Sequence, residues 1–125
     1  MDNMKNETNP HQCQVVTALN TFVGKWKPII LLHLFVDETL RFNELRRRIP
    51  DITQRMLTLQ LRELEEQDLI KRVVYPQVPP KVEYSLTKYG ETLGPLMNAL
   101  HEWGENHLKH LENIKSPTLP NDLNS

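Results

Sequence analysis

Apolar residues recur at helical spacing along most of the chain and alternate in only one interval. Between positions 15 and 23 they form a single seam, which Gly24 ends, and Pro28 then opens a second segment that is apolar nearly all round. The pattern predicts two helices, the second of them a buried spine. The seam consists of Val15, Val16, Leu19, Phe22 and Val23, and the spine of Ile29, Ile30, Leu31, Leu32, Leu34 and Phe35.

Two shorter helical segments follow, separated by a tight turn. Phe42, Leu45 and Ile49 stand at i, i+3 and i+7, which predicts a short helix. Pro50 disfavours helical backbone at the residue before it, so we expect this helix to end at Ile49 and a turn to follow.

The next helix is predicted to run from the N-cap Thr53 to about Gln67, since the interval contains neither glycine nor proline. At about 100° per residue its leucines form one stripe, while basic and polar side chains fall on the opposite face. Leu59 also points roughly outward. The stripe is Leu57, Leu61 and Leu64, and the outward face carries Arg55, Thr58 and Arg62.

After Leu69 the pattern becomes extended. Two β-rich runs, 70–75 and 81–86, flank a proline-rich connection, which predicts a hairpin. Two helices, a tight turn and a two-stranded ribbon predict an α+β, mostly helical fold, the winged helix-turn-helix, which binds duplex DNA. Ile70, Arg72 and Val74 share one face of the first strand, and Val82, Tyr84 and Leu86 share one face of the second.

The outward face of the second of these helices has the chemistry that base recognition needs. Arginine can donate two hydrogen bonds to guanine, glutamine can pair with adenine, and a threonine methyl can contact thymine. An ordinary amphipathic helix with a solvated face, and a hairpin that only stabilises the fold, are the alternatives. The predicted residues that contact double-stranded DNA are Thr53, Gln54, Arg55, Thr58 and Arg62 on the helix and Arg72 and Lys81 on the wing.

Charge is distributed unevenly along the chain. The net charge of −1 hides a central segment, Arg41 to Lys81, with nine basic and six acidic residues, which leaves −4 for the rest. A local excess of positive charge favours phosphate contact with strong salt dependence. No stretch approaches the ~20 apolar residues of a membrane span, and the polar segment Met1–Gln12 has no signal-peptide core, so we expect a cytoplasmic protein without membrane contact.

A long apolar stripe after the hairpin predicts a last helix from near Thr87 to about Asn113. A domain of this size has little core left to cover it, so we expect the first and last helices to form a homodimer interface. A dimer would place two recognition helices about one DNA turn apart, ~34 Å, on a palindromic site. Packing of the whole stripe within one chain is the alternative. The predicted interface residues are Leu19, Phe22, Leu96, Leu100 and Trp103.

The 125 residues are expected to form one domain with two loose ends. Residues 1–12 are predicted to be a flexible N-terminal arm, 13–113 the winged helix-turn-helix domain with its dimerisation helices, and 114–125 a disordered tail rich in proline and asparagine.

Several strings stand out once these elements are assigned: Gly24-Lys25-Trp26, Arg41-Phe42-Asn43-Glu44-Leu45, Leu57 with Leu61-Arg62-Glu63-Leu64-Glu65, and Pro79-Pro80-Lys81-Val82-Glu83-Tyr84-Ser85-Leu86-Thr87, followed by Gly90 and Trp103. They cover residues 13 to 108 and resemble the HxlR-type regulators, winged helix-turn-helix transcription factors related to the MarR group. The resemblance implies a bacterial, cytoplasmic, homodimeric regulator of transcription that binds near promoters. Asp51 stands where the family's turn has glycine, and aspartate tolerates that conformation.

Cys13 is the only cysteine, which excludes an intrachain disulfide. It precedes the first helix, where the positive end of the helix dipole favours a thiolate. Family members sense quinones, aldehydes or oxidants through a cysteine near the N-terminus, so the resemblance implies redox sensing at Cys13, with an electrophile or oxidant as effector. Two-cysteine switches cannot apply, which leaves alkylation, a mixed disulfide or a symmetric Cys13–Cys13 link. An incidental cysteine is the alternative.

The residues give little support for catalysis or for metal binding. No nucleophile, base and orienting acid stand at a recognisable spacing, so we expect no enzyme. Two alternatives stay open: a winged-helix regulator that responds to a reversibly bound ligand or metal, and a winged-helix module used only for protein contacts. No metal and no cofactor are predicted, because His101, His107 and His110, or His11 with Cys13, match no specific metal motif.

Overall fold

The computed structural model describes residues 14–115. The predicted N-terminal arm, Cys13 and residues 116–125 of the predicted tail lie outside them. The elements, in chain order, are α1 (Gln14–Phe22), α2 (Lys27–Asp37), β1 (Thr39–Arg41), α3 (Phe42–Arg48), α4 (Gln54–Glu66), β2 (Ile70–Tyr75), β3 (Lys81–Leu86), a 3-10 turn (Gly90–Leu93) and α5 (Gly94–Lys115).

Helix α4 has the cap and the buried stripe that its sequence predicts. The backbone N–H of Met56 donates to Thr53 Oγ1 at 3.0 Å, which satisfies one of the N–H groups that a helix start leaves unpaired. The stripe of Leu57, Leu61 and Leu64 is buried together with Leu45 of α3. These contacts fix α4 on the domain by one face and leave its opposite face for a partner.

Helix α2 is a spine on one side only. Ile30, Leu31 and Leu34 are buried, but Leu32 is 51% exposed and Val36 71% exposed. The expected buried spine is therefore confirmed for one side of the helix and wrong for the other. A continuous apolar run does not reveal which part of the circumference meets the core, because every rotation of such a helix presents an apolar face.

The sheet contains one more strand than the sequence predicts. The order is β1-β3-β2, with all pairings antiparallel, so the two-stranded wing is extended at its base by β1. Strand β1 has only three residues, which is too few for an alternating pattern of apolar and polar residues to identify it in the sequence. The predicted faces of the hairpin are confirmed, because Ile70 pairs with Leu86, Arg72 with Tyr84 and Val74 with Val82.

A Schellman turn joins α4 to the wing. Asp68 has a positive φ of 62°, its N–H donates to Glu65 O at 3.0 Å, and the N–H of Leu69 donates to Leu64 O at 3.0 Å. Leu69 and Leu64 are both buried, which is the apolar contact that accompanies this motif. The turn sets the direction in which the wing leaves α4.

The last helix begins at Gly94 rather than near Thr87, so its predicted start is wrong. The Thr87 hydroxyl donates to Asp68 O at 2.6 Å and accepts the N–H of Gly90 at 2.8 Å. Thr87 thereby closes a turn against the base of the wing instead of opening the helix. A side chain on Gly90 would bring Cβ to 2.0 Å from Leu69 O, so only glycine fits there.

The chain divides into two compact units, one ending at Glu91 and the other beginning at Thr92. The second unit contains α5, and no residue of this helix is buried. Among residues 14–115, no single helix is long and apolar enough to cross a membrane. Helices α1 and α2 meet that criterion only as a pair, and they are bent by 75° at the break between them.

Candidate DNA-binding surface

Helix α4 presents three side chains whose polar groups are free. The side chains of Gln54, Arg55 and Arg62 are exposed and form no hydrogen bond or ion pair with residues 14–115. Thr58 differs, because its hydroxyl donates to Gln54 O at 2.9 Å. The methyl group of Thr58 is free to contact a base. The hydroxyl of Thr53 is already used in the helix cap, where it accepts the N–H of Met56.

A groove of about 390 Å³ runs between α4 and the wing, and we call it the reading groove. It brings together four of the seven predicted DNA-binding residues, Gln54, Thr58, Arg62 and Arg72. Arg72 reaches it because β2 and β3 turn the face of Arg72 and Tyr84 toward the helices. Its lining residues are Phe42, Gln54, Thr58, Leu61, Arg62, Glu65, Arg72 and Tyr84.

The two predicted wing contacts lie on opposite faces of the ribbon. Arg72 pairs with Tyr84, whereas Lys81 pairs with Tyr75, and successive residues of a strand alternate between faces. The Lys81 ammonium lies 3.3 Å from Glu83 Oε2 and 4.9 Å from the ring centre of Tyr75. Lys81 is therefore held in place and partly neutralised, and the structure does not bring it together with Arg72.

The arginine run of α3 divides into one structural and two available side chains. Arg48 forms an ion pair with Asp37 of α2. Arg46 and Arg47 are exposed and enter no ion pair formed within residues 14–115. The sequence prediction of DNA contacts omitted both, although the run Arg46–Arg48 was a visible signal. Only the fold reveals which arginine is occupied, because Asp37 and Arg48 belong to different helices.

Arg48 also acts on His33 of α2. Burial, and next the positive charge of Arg48, lower the pKa of His33 below its ordinary value of 6.5. His33 therefore stays neutral beside the arginine, because its protonation would place a second positive charge next to the Arg48 guanidinium.

Leu59 lies outside the leucine stripe of α4 and is 46% exposed. It stands four residues after Arg55 on the outward side of the helix, where sequence spacing places it. An apolar side chain at this position can contact thymine methyl groups in the major groove.

The predicted interface residues differ in their exposure. Leu19, Leu96, Leu100 and Trp103 are exposed, Trp103 by 66%, so they are open to a partner. Phe22 is only 2% exposed and belongs to the buried core. Its assignment to the interface is therefore corrected: helical spacing placed it on the seam of α1, but at the end of the helix this side chain packs inside.

His107 and His110 of α5 lie on the same side of the helix as Trp103, whereas His101 lies on another side. The His107 ring stacks on the Trp103 ring at 4.8 Å between centres, and His110 lies 6.5 Å from His107. His101 Nε2 is 3.8 Å from Glu105 Oε2. Over the described range 14–115, no three His, Cys, Asp or Glu side chains come together as ligands for a metal ion.

Known proteins share this architecture and sequence. The HTH-type transcriptional regulator YybR of Bacillus subtilis (strain 168) is 52% identical over 114 residues, which cover 91% of this chain and 90% of YybR. The redox regulator HypR matches in its reduced form with 53% identity and a TM-score of 0.76, covering 81% of this chain and 99% of HypR. Its oxidised form matches with 56% identity and a TM-score of 0.70, covering 75% and 96%.

The family comparison agrees with the geometry of the reading groove. The model of the HxlR-like helix-turn-helix family matches residues 21–112, which include all the helices and strands that build the groove. The chain therefore belongs to the HxlR-like helix-turn-helix family and is a transcriptional regulator of the helix-turn-helix type.

Proposed function

We propose that this regulator binds a palindromic operator as a homodimer and changes its affinity when Cys13 reacts with an electrophile or oxidant. The observation that carries the DNA-binding part is the reading groove, where Gln54, Thr58 and Arg62 of α4 face Arg72 of the wing. A groove edged by amide, methyl and guanidinium groups matches the hydrogen-bond and methyl pattern of the DNA major groove. The protein acts in the bacterial cytoplasm, where the operator is.

The first half of α4 makes the direct contacts to bases. Arg55 donates two hydrogen bonds to guanine, Gln54 pairs with adenine, and the Thr58 methyl contacts thymine. Arg62 lies farther along the helix, and with Arg72 it contacts phosphates at the edge of the groove. Base contacts set the preferred sequence, whereas phosphate contacts set register and salt dependence.

Dimer formation accounts for the uncovered stripe of α5. At 100° per residue, Leu96, Leu100 and Trp103 fall within about 60° of one another around the helix. Leu111 and Ile114 extend the same side, so the stripe runs along the whole helix. An apolar stripe of this extent on one helix marks an interaction site. Leu19 of α1 is exposed as well and belongs to the proposed interface. A second copy of the chain is the partner that presents the same stripe, and two-fold symmetry pairs like with like.

Cys13 supplies the proposed switch. It lies outside the described residues, directly before α1, and it is the only cysteine of the chain. Support comes from the redox regulator HypR, which is 56% identical over the matched 75% of this chain in its oxidised form and 53% identical over the matched 81% in its reduced form. A single cysteine per chain limits the chemistry to alkylation, a mixed disulfide with a small thiol, or a symmetric disulfide between two Cys13 residues. Each product alters the proposed interface and so the separation of the two recognition helices.

The test selects operator fragments and then challenges the complex. Purified protein is used to enrich genomic fragments, and binding to the enriched site is measured with and without a quinone, an aldehyde or hypochlorite. We expect the reagents to change affinity by roughly 5- to 150-fold, the usual range of coupling between sites. Cys13→Ser is expected to bind as the untreated protein does and to ignore the reagents.

Three outcomes contradict parts of the proposal. Failure to enrich any fragment contradicts DNA binding, and a Cys13→Ser variant that still responds to hypochlorite contradicts the thiol switch. A reversibly bound ligand or metal would then be the remaining effector. If DNA is not bound and only proteins are captured, the domain is a protein-interaction module.

A further inference from the structure

A second groove borders the reading groove at Phe42, and we call it the tip groove. It has a volume of about 840 Å³ and lies between the start of α3 and the tip of the wing. Its basic side chains come from three elements, Arg41 from β1, Arg47 from α3 and Lys81 from β3. Its acidic side chains are Glu44 of α3 and Glu83 of β3, and Pro79 and Pro80 line it at the tip of the wing.

The two carboxylates of the tip groove are already occupied. Glu44 Oε1 accepts the backbone N–H of Arg41 at 2.8 Å. Glu83 Oε2 lies 3.3 Å from the ammonium of Lys81. The guanidinium groups of Arg41 and Arg47 enter no ion pair formed by residues 14–115, so the groove has two uncommitted cationic heads and a net positive charge.

The register between β1 and β3 places Arg41 close to Lys81 of the wing. Arg41 pairs with Glu83 across β1 and β3, and Lys81 lies two residues from Glu83 on the same face of β3. The two cations are therefore neighbours on the sheet face that is turned away from the reading groove. Arg47 closes the groove from α3.

We propose that the tip groove binds a backbone phosphodiester of DNA through Arg41 and Arg47, outside the base pairs that α4 contacts. Planar guanidinium groups match the oxygens of a phosphodiester, and bidentate pairs of this kind are stronger than contacts to an ammonium. The site rests on the proposed DNA binding and adds to it a second contact, separate from the base contacts. Lys81 stabilises the groove through Glu83 rather than supplying the main charge.

The adjacent arginine of α3 provides a matched control. Arg48 has the same charge and stands one residue after Arg47, but it is paired with Asp37. Loss of Arg48 removes an ion pair within the protein, whereas loss of Arg47 removes a free cation from the groove. The two substitutions therefore separate phosphate binding from a general effect of charge.

The experiment measures operator affinity against salt concentration for the wild type, Arg41→Ala, Arg47→Ala and Arg48→Ala. Each phosphate contact contributes about 0.9 to the slope of log K against log salt, so loss of one contact per subunit reduces the slope of a dimer by about 1.8. We expect that reduction for Arg41→Ala or Arg47→Ala and no reduction for Arg48→Ala. Preference among operator sequences should be unchanged in all of them.

A neutral methylphosphonate, introduced at single backbone positions, locates the phosphate. One position per half-site should weaken the wild type but leave the affinity of the double variant Arg41→Ala/Arg47→Ala unaltered, because that variant has lost both guanidinium groups that contact the phosphodiester. The proposal is overturned if Arg47→Ala keeps the wild-type slope, or if every methylphosphonate weakens the wild type and the double variant equally. Failure of DNA binding itself is distinguishable, since the wild type would then bind no operator. Circular dichroism confirms that each variant is folded.

Discussion

Helices α4 and α5 each have an apolar stripe at helical spacing, yet they differ in what covers it. The stripe of α4 is buried within the winged-helix unit, whereas none of the residues of α5 is buried and Leu100 is 50% exposed. Helical periodicity identifies the side that a helix turns to an apolar partner, but not whether that partner belongs to the same chain. The comparison separates a helix that stabilises the fold from one that, in the proposed dimer, stabilises the assembly.

The largest expected effect is on the uncovered stripe. Leu100→Asp should give a monomer with poor operator affinity, because burying an unpaired carboxylate in an apolar interface costs several kcal/mol and one half-site offers few contacts. Sedimentation equilibrium measures the mass, and Asn98→Asp serves as the control, since position 98 lies on another side of α5. A Leu100→Asp dimer, or a wild type that is monomeric at micromolar concentration, would contradict the assignment of α5.

Substitutions in the buried stripe of α4 should lower the stability of the single chain. Leu61→Ala is expected to lower the free energy of unfolding by about 2–5 kcal/mol, because it leaves a cavity in a packed core. Leu59→Ala is the control, as it deletes the same atoms from the exposed side of the same helix. Urea unfolding followed by circular dichroism measures both. If the two variants lose equal stability, α4 is not anchored by one face as described.

Recognition should depend on the face of α4 that the core leaves open. Arg55→Ala is expected to weaken specific binding by ~1–3 kcal/mol and to relax the preference at one base pair in each half-site, since a bidentate contact to a base is lost. Arg72→Ala should weaken all sequences alike and lower the salt slope. Binding to a set of single-base operator variants makes the distinction. A uniform loss for Arg55→Ala would assign this side chain to phosphate instead.

The smallest expected effect is a pH dependence inside the packed unit. His33 has a pKa below 6.5 in the folded protein, so the unfolded chain binds its proton first as pH falls. The stability that neutral His33 provides is therefore complete above pH 6.5 and is lost as pH falls through the lower, folded pKa. Urea midpoints between pH 5 and 8 measure this slope, and His33→Gln should flatten it. An unchanged slope in His33→Gln would place its origin elsewhere.

Local rules were sufficient where neighbours in sequence determine the structure. The Thr53 cap, the α4 stripe and the hairpin faces follow from spacing and residue chemistry, and all three are confirmed. The exposed face of α2 and the burial of Phe22 depend on contacts distant in sequence, which periodicity does not contain. The start of α5 was misplaced because the Thr87 hydroxyl competes with the helix by bonding to backbone groups.

The candidate site shows the same division. Spacing placed Arg55, Thr58 and Arg62 on the outward face of α4, and the reading groove unites Thr58 and Arg62 with Gln54, whereas Arg55 does not line it. Strand alternation alone predicts that Arg72 and Lys81 lie on opposite faces of the ribbon. Which face borders the reading groove and which borders the tip groove depends on β1 and on the position of α3, and these follow only from the fold. Which members of a charge run are free depends on partners such as Asp37, and only the fold brings these together.

The contact between Gly90 and the carbonyl of Leu69 restricts how this chain can change over evolution. Every side chain at position 90 would collide with backbone rather than with a movable side chain, so no compensating substitution nearby can restore the room. Gly104 of α5 differs, because a Cβ there would meet no atom of the same chain. In a selection for operator binding from randomised libraries, position 90 should contain only glycine. The turn at Gly90 is therefore fixed, whereas the residues that line the reading groove and the tip groove can diverge.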